Sequence, residues 1–221
     1  MSSEVYPIDP NDLINLPGGS SADEDEKEDY VTLLCGDESR GVPDSLLSGR
    51  LRILRAIENG DEFIPVRVAF VPRIPWWNPF PLFIRAWRNY YVSHGTGIYH
   101  TDPSVLRDLG IERGRRTRET AYSFTRVWND PREGGLERYD KLASSILKDG
   151  WNDVYRLEIM LLRQMGTQDN LNDGHHRMSI CLTYGIKRAA VRFAFAGKSP
   201  GWLQLLLRPL ARLILRAKRY V

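Results

Sequence analysis

One glycine between an acid and a run of bases constrains this chain more tightly than any other feature. Asp173-Gly174-His175-His176-Arg177 follows a segment with strand character, Val154 to Leu162, in which Val154, Leu157 and Ile159 are apolar, and a turn expected from Met165 to Asn170. It precedes a helix expected from Met178 to Tyr184, a glycine cap at Gly185 and a strand from Ala189 to Phe195. The first turn of a helix leaves backbone N–H groups unpaired and carries the positive end of the dipole. Phosphate is held well there. Gly174 allows close backbone approach, and Arg177 can fork onto two phosphate oxygens. His175 and His176 can donate to oxygen or titrate near neutrality. Asp173 can take a proton or hold a divalent metal through water. These residue types at one strand-to-helix junction point to a phosphate or nucleotide site. The plainer alternative has Asp173 capping the helix and both histidines facing solvent.

The rest of the chain alternates short helices and strands. Leu47, Leu51, Leu54 and Ile57 stand at helical spacing, so a helix is expected from Ser45 to Ile57, closed by Asn59-Gly60. A strand from Glu62 to Val71 follows. Asp102-Pro103-Ser104 can start a short helix ending at Gly110, and Arg113, Arg115, Arg116 and Arg118 form a basic run. Ala121 to Trp128 has strand character, and Asn129-Asp130-Pro131 is a turn. Tyr139 to Leu147 puts Tyr139, Leu142, Ala143, Ile146 and Leu147 on one helical face, ended by Asp149-Gly150. Leu51–Val68 and Tyr139–Ile159 both run helix, glycine, strand. A degenerate repeat leaves that pattern, and unrelated helix–strand units produce it too.

Charge is sorted along the sequence. Residues 1–30 hold nine acids against Lys27 alone, with few large apolar side chains, and are expected to be a disordered tail. The remainder is correspondingly basic. In residues 199–221, Gln204, Arg208, Arg212, Arg216 and Arg219 form one polar stripe on a helix otherwise rich in leucine and opened by Trp202. Pro209 would kink it. A wide apolar arc with a purely cationic edge suits the surface of an anionic membrane. The competing reading buries the helix in the domain or in a dimer, with its arginines paired. Residues 71–93 repeat the theme with Trp76, Trp77, four prolines, three arginines and no acid. They suit a bilayer interface, a protein interface or a core edge. No stretch reaches the ~18 apolar residues of a membrane span and no basic leader opens the chain, so cytoplasmic synthesis is expected, with association at the inner membrane face open. Cys35 and Cys181 are too few for a disulfide framework or a zinc site.

The order of elements from residue 120 to 195, with Leu142-Ala143-Ser144-Ser145-Ile146, Gly150 and the Asp-Gly-His-His-Arg box, resembles the ParB/sulfiredoxin fold. The resemblance implies an α+β chain with a small mixed-sheet domain at 96–197. The flanking parts would be an acidic tail at 1–30, an N-terminal helix–strand extension at 31–95 and a C-terminal amphipathic helix at 198–221. ParB proteins carry a Gly-Glu-Arg-Arg type of box that binds CTP, and sulfiredoxins place a catalytic cysteine where His175 stands. Cys181 lies further into the helix. The Asp-Gly-His-His-Arg form is similar to that of the free-serine kinases of this fold, which move phosphate from ADP or ATP to a hydroxyl. By that resemblance Gly174, His175, His176 and Arg177 bind nucleotide phosphates, with Mg2+. A carboxylate serves as base, for which Glu158, Asp130 and Glu119 are candidates beside Asp173, with His175 also in a catalytic position. Expected partners are a nucleotide and an anionic membrane surface met by 199–221 and 71–93. The alternative is a ParB-like nucleotide- or nucleic-acid-binding protein or nuclease, with Arg113 to Arg118 as backbone contacts. A third reading is a membrane-bound scaffold without chemistry.

Overall fold

The computed structural model describes residues 5–19, 29–70, 90–106, 135–150, 156–163 and 169–198. Among these residues the chain is α+β. Its elements in order are β1 (Val5–Ile8), β2 (Val31–Cys35), β3 (Ser45–Ser48), α1 (Arg50–Asn59), β4 (Ile64–Phe70), β5 (Tyr90–His94), β6 (Tyr99–Thr101), α2 (Pro103–Leu106), α3 (Gly135–Asp149), β7 (Leu157–Leu161), β8 (Asn170–Asp173), α4 (His175–Tyr184) and β9 (Ala189–Lys198). They form two mixed sheets, ordered β1-β4-β2-β3 and β5-β9-β7-β8, with β6 also on β9.

The two sheets are copies of one plan. In the first, β2 runs antiparallel to β3, the chain turns through Gly49 into α1, leaves it at Gly60, and returns as β4 parallel to β2. In the second, β7 runs antiparallel to β8, turns through Gly174 into α4, leaves it at Gly185, and returns as β9 parallel to β7. All four glycines have positive φ, which glycine adopts without steric cost. Register agrees residue by residue. Val31 faces Val66 and Cys35 faces Phe70, as Leu157 faces Val191 and Leu161 faces Phe195. The bulge between Thr32 and Leu33 recurs between Glu158 and Ile159. Residues 45–70 lie on 170–195 without a gap, and Leu46, Gly49, Arg52, Gly60, Val66, Arg67, Ala69 and Phe70 are matched by Leu171, Gly174, Arg177, Gly185, Val191, Arg192, Ala194 and Phe195.

The duplication extends to an outer strand. Tyr6 pairs with Val66 on β4, and Tyr99 pairs with Val191 on β9. Each tyrosine opens the pattern Tyr-x-x-Asp-Pro-x-x-Leu, at Tyr6–Leu13 and Tyr99–Leu106. Asp9 accepts from the Asn11 N–H at 2.9 Å and Asp102 from the Ser104 N–H at 2.8 Å, so each aspartate starts the short helical turn that buries Leu13 or Leu106.

One hydrophobic core joins the copies, and the polar contacts across it are reciprocal. Tyr6 donates to Asp169 at 2.7 Å, and Tyr99 donates to Asp44 at 2.5 Å. Asp44 and Asp169 are buried equivalents. The remaining demand of Asp44 is met by the N–H groups of Gly36, Thr96 and Gly97. That of Asp169 is met by the Leu162 N–H and the Arg163 guanidinium. Burial, and then the neighbouring aspartate, hold both phenols well above their ordinary pKa, so they stay donors. The equivalent rings of Phe70 and Phe195 stack on each other at 4.8 Å. Residue i meeting j′ while j meets i′ is the signature of a two-fold interface, here within one chain.

Several expectations are corrected. Residues 5–19 belong to the fold and are no disordered tail. Tyr6, Ile8 and Leu13 are buried, and the acids there are used, Asp9 with Arg188 at 2.6 Å and Asp12 with His100. Ser45–Ser48 is strand and not helix. The helical phase starts only after Gly49, so α1 buries Ile53 and Ala56 while Leu47 and Leu54 are exposed. Asn170–Asp173 is a strand, β8, where only a turn into the box was expected. The division at residue 95 cuts the second copy, since β5 lies on β9. Gly60 corresponds to Gly185 and not to Gly150, so the repeat pairs Val31–Phe70 with Leu157–Phe195. Asp130, Glu119, Arg113 to Arg118, the strand at 121–128, most of 71–93 and all of 199–221 lie outside the described residues. Tyr90 to Ser93, at the end of the former segment, is strand.

Tyr6→Phe and Tyr99→Phe should each cost ~1.5–3 kcal/mol, because each leaves a buried carboxylate one donor short. Equilibrium denaturation of the two variants measures it. A neutral result for either would mean that its bond does not hold the copies together.

Candidate functional site

The strand-to-helix junction at Gly174 forms, and the helix begins at His175, three residues earlier than the expected start at Met178. Gly174 sits at φ +93, and a Cβ there would meet the Leu157 side chain at 2.7 Å and the Leu157 backbone at 3.2 Å. Only glycine lets β8 turn into α4 so close to β7. The cap residue, Gly174, has no side chain with which to bond the N–H groups of the first turn of α4. His175 and His176 occupy the first two helical positions; their side chains lie outside the described part.

Asp173 closes β8 with a side chain about two-thirds exposed, accepting from its neighbour Gly174 N–H at 2.7 Å and lying 3.3 Å from Arg177. Arg177 also donates to the Arg156 carbonyl at the start of β7. Its guanidinium therefore braces the turn against the strand, in addition to any contact with a ligand.

Glu158 is the better-held carboxylate. Alternation along β7 sends Leu157 and Ile159 into the core and Glu158 to the opposite face. There it pairs across strands with Asp173 on one side and Arg192 on the other. Asn172 donates to Glu158 Oε1 at 2.6 Å, and His94 Nε2 lies 3.4 Å from Oε2. The imidazole contact, followed by the Asn172 bond, holds the Glu158 carboxyl below its ordinary range against the opposing effect of burial. Arg192 is buried beside it, donating to the Gly95 carbonyl at 2.9 Å and to Glu38 of the first copy. That bond holds the Glu38 carboxyl low as well. Met160, Ala194 and Ala196 make an apolar floor on the same face.

Of the residues singled out in the sequence, the fold brings together Asp173, Gly174, Arg177 and Glu158. Beside them stand His94, Asn172, Arg192 and Glu38, which the sequence did not single out. Asn172 lay inside the segment already in view. The other three come from strands or turns remote in sequence, and only the pairing of β5 and β9 with β7 joins them. Cys181 is buried in α4, where desolvation pushes its thiol up to about 12, which keeps it protonated and consistent with a core residue. Among the described residues no group of three or more metal-ligating side chains is assembled, and no helix is long and apolar enough to cross a membrane. No family model matches the chain, and no curated protein and no solved structure matches it either.

Gly174→Ala should destabilise the protein by at least about 1–2 kcal/mol, the cost of left-handed backbone in an L-residue, and thermal melting measures it; an unchanged melting temperature would refute the tight approach to Leu157. A pH series reads Glu158. Its folded pKa is depressed, so its stabilisation is in force above the ordinary carboxylate range and drains away as pH falls through the folded value. Glu158→Gln should therefore lose stability less steeply than wild type between about pH 5 and pH 3. Parallel acid limbs would mean that the His94 contact is not formed in solution.

Proposed function

We propose that this chain is a nucleotide-dependent phosphotransferase acting on a hydroxyl acceptor, using the ParB/sulfiredoxin type of box at Asp173–Arg177. The observation that carries the reading is the Gly174 turn, which opens a helix without a capping side chain beside an ionised, hydrogen-bonded Glu158. Phosphoryl transfer needs in-line placement and charge neutralisation more than covalent help from the protein. The first-turn N–H groups of α4 and the dipole receive phosphate oxygens, and His175 and His176 stand at the same turn. Arg177 keeps that turn in shape. ADP or ATP supplies the phosphoryl group and brings Mg2+, which binds through one or two carboxylates, waters and the phosphates themselves. Asp173, exposed at the rim, is the carboxylate that would hold it. Glu158 stands ready to accept the hydroxyl proton. Attachment to an anionic membrane surface, and with it a lipid-linked or glycan acceptor, belongs to the same proposal and rests on the cationic stripe of residues 199–221.

ATP or ADP with Mg2+ should raise the melting temperature by mass action, worth about 2.7 kcal/mol at a hundredfold excess over Kd. His176→Ala should remove most of that shift while melting near wild type without nucleotide. If neither nucleotide moves the wild-type transition, the phosphotransferase reading is wrong.

A further inference from the structure

Two copies of one unit in one chain supply an internal comparison. Positions the fold requires hold the same residue in both, from the tyrosine of the outer strand to the two helix-capping glycines. The copies part around the helix start. Thr32 stands where the second copy has Glu158, Leu47 where it has Asn172, Ser48 where it has Asp173, and Arg50-Leu51 where it has His175-His176.

The first copy's turn is also shut. Arg50 folds back and donates to the carbonyls of Ile14 at 3.2 Å, Leu16 at 2.5 Å and Gly18 at 3.0 Å. The segment holding those carbonyls runs beside β3, with Gly19 N–H on the Leu46 carbonyl at 2.9 Å and Leu46 N–H on the Pro17 carbonyl at 2.8 Å. The protein's own backbone thus occupies the start of α1. Among the described residues, the second copy has a strand on β9 beyond the positions that match the β1–β4 pairing, and that strand, β5, delivers His94 to Glu158.

We propose that the chain carries one working site, in the second copy only, and that Glu158 with Asn172 and His94 forms its acceptor side, receiving the hydroxyl group of the molecule to be phosphorylated. This rests on the phosphotransferase reading above. The acceptor oxygen bonds to the terminal phosphorus as the bond from that phosphorus to the bridging oxygen breaks, and the electron pair leaves with the nucleotide. The hydroxyl proton passes to Glu158. Asn172 fixes the other carboxylate oxygen. His94 is a positioning residue, holding Oε2 of Glu158 from 3.4 Å away.

The test uses the full-length protein, radiolabelled ATP or ADP with Mg2+, and water as the acceptor. Equilibrium dialysis should give one nucleotide per chain. Glu158→Gln should bind nucleotide as wild type does and release inorganic phosphate about 100-fold more slowly, the scale of a lost general base, with Glu158→Asp recovering part of the rate. His94→Gln should lower turnover with the KM for nucleotide unchanged, whereas a merely structural His94 would leave the rate per folded molecule intact. Thr32→Val, at the first copy's counterpart of Glu158, should change neither binding nor release. Two nucleotides per chain, full phosphate release by Glu158→Gln, no release by wild type, or an equal loss in Thr32→Val would each overturn the proposal. A chain that binds no nucleotide at all fails one step earlier, at the phosphotransferase reading itself.

Discussion

A carboxylate removed from water must find several donors or it unfolds what surrounds it. Asp44 and Asp169 are buried in this way, and each takes its phenolic donor from the opposite copy. The rest of the architecture depends on that exchange. It fixes the outer strand that carries each tyrosine, since Tyr6 and Tyr99 can reach only if β1 and β6 lie on β4 and β9 in their observed registers. It fixes the strand ends as well, because the same aspartates accept from Gly36 and Leu162, just past β2 and β7. Between the two bonds Tyr6 and Tyr99 pack against Phe193, and Phe70 stacks on Phe195. Apolar burial supplies the bulk of the driving force, and the paired carboxylates specify which surfaces meet.

The two helix starts show how little backbone geometry decides by itself. Gly49 and Gly174 have nearly the same φ, and at both a Cβ would strike the residue opposite, Val31 or Leu157. Both helices begin without a capping side chain. At Gly49 the following residue is an arginine that turns onto carbonyls of its own chain. At Gly174 the following residues are histidines, and the strand alongside carries an ionised glutamate in place of a threonine. Identical frames with different side chains separate what the fold needs from what a ligand would need. Arg177 falls on the framework side of that division. It has Arg52 as its counterpart and holds the Arg156 carbonyl, so it shapes the turn before it touches any phosphate.

What the sequence revealed was local, and what it concealed was set by distant partners. The junction at Gly174 was legible because glycine, flanking charge and a change of hydrophobic period all fall within a few residues. The helix expected from Ser45 was mistaken because Leu47 and Leu51 keep helical spacing across Gly49, although the chain changes structure there. The acidic head misled by its total. Most of its acids fall after residue 22, while Tyr6, Ile8 and Leu13 carry enough apolar surface to join a sheet. Glycines that end helices suggest matching Gly60 to Gly150, whereas the strand pairing matches Gly60 to Gly185. The hairpin strand before each helix is the element that identifies the true pairing. Asp44, Asp169, His94 and Arg192 gave no signal, since each meets its partner through a sheet or a core contact remote along the chain.

A copy whose own turn is filled still has work to do. Without it, Tyr99 would lose Asp44, Asp169 would lose Tyr6, and the faces of Phe193 and Phe195 that meet Tyr6 and Phe70 would lie open to water. Arg192, beside Glu158 in register, would lose Glu38 and keep the Gly95 carbonyl. Its nearest replacement carboxylate would be Glu158 itself, drawn from His94 toward the guanidinium. The first copy thus acts on the second through charge as well as packing. By holding Arg192 it leaves the Glu158 carboxylate to His94 and Asn172, beside the turn at Gly174.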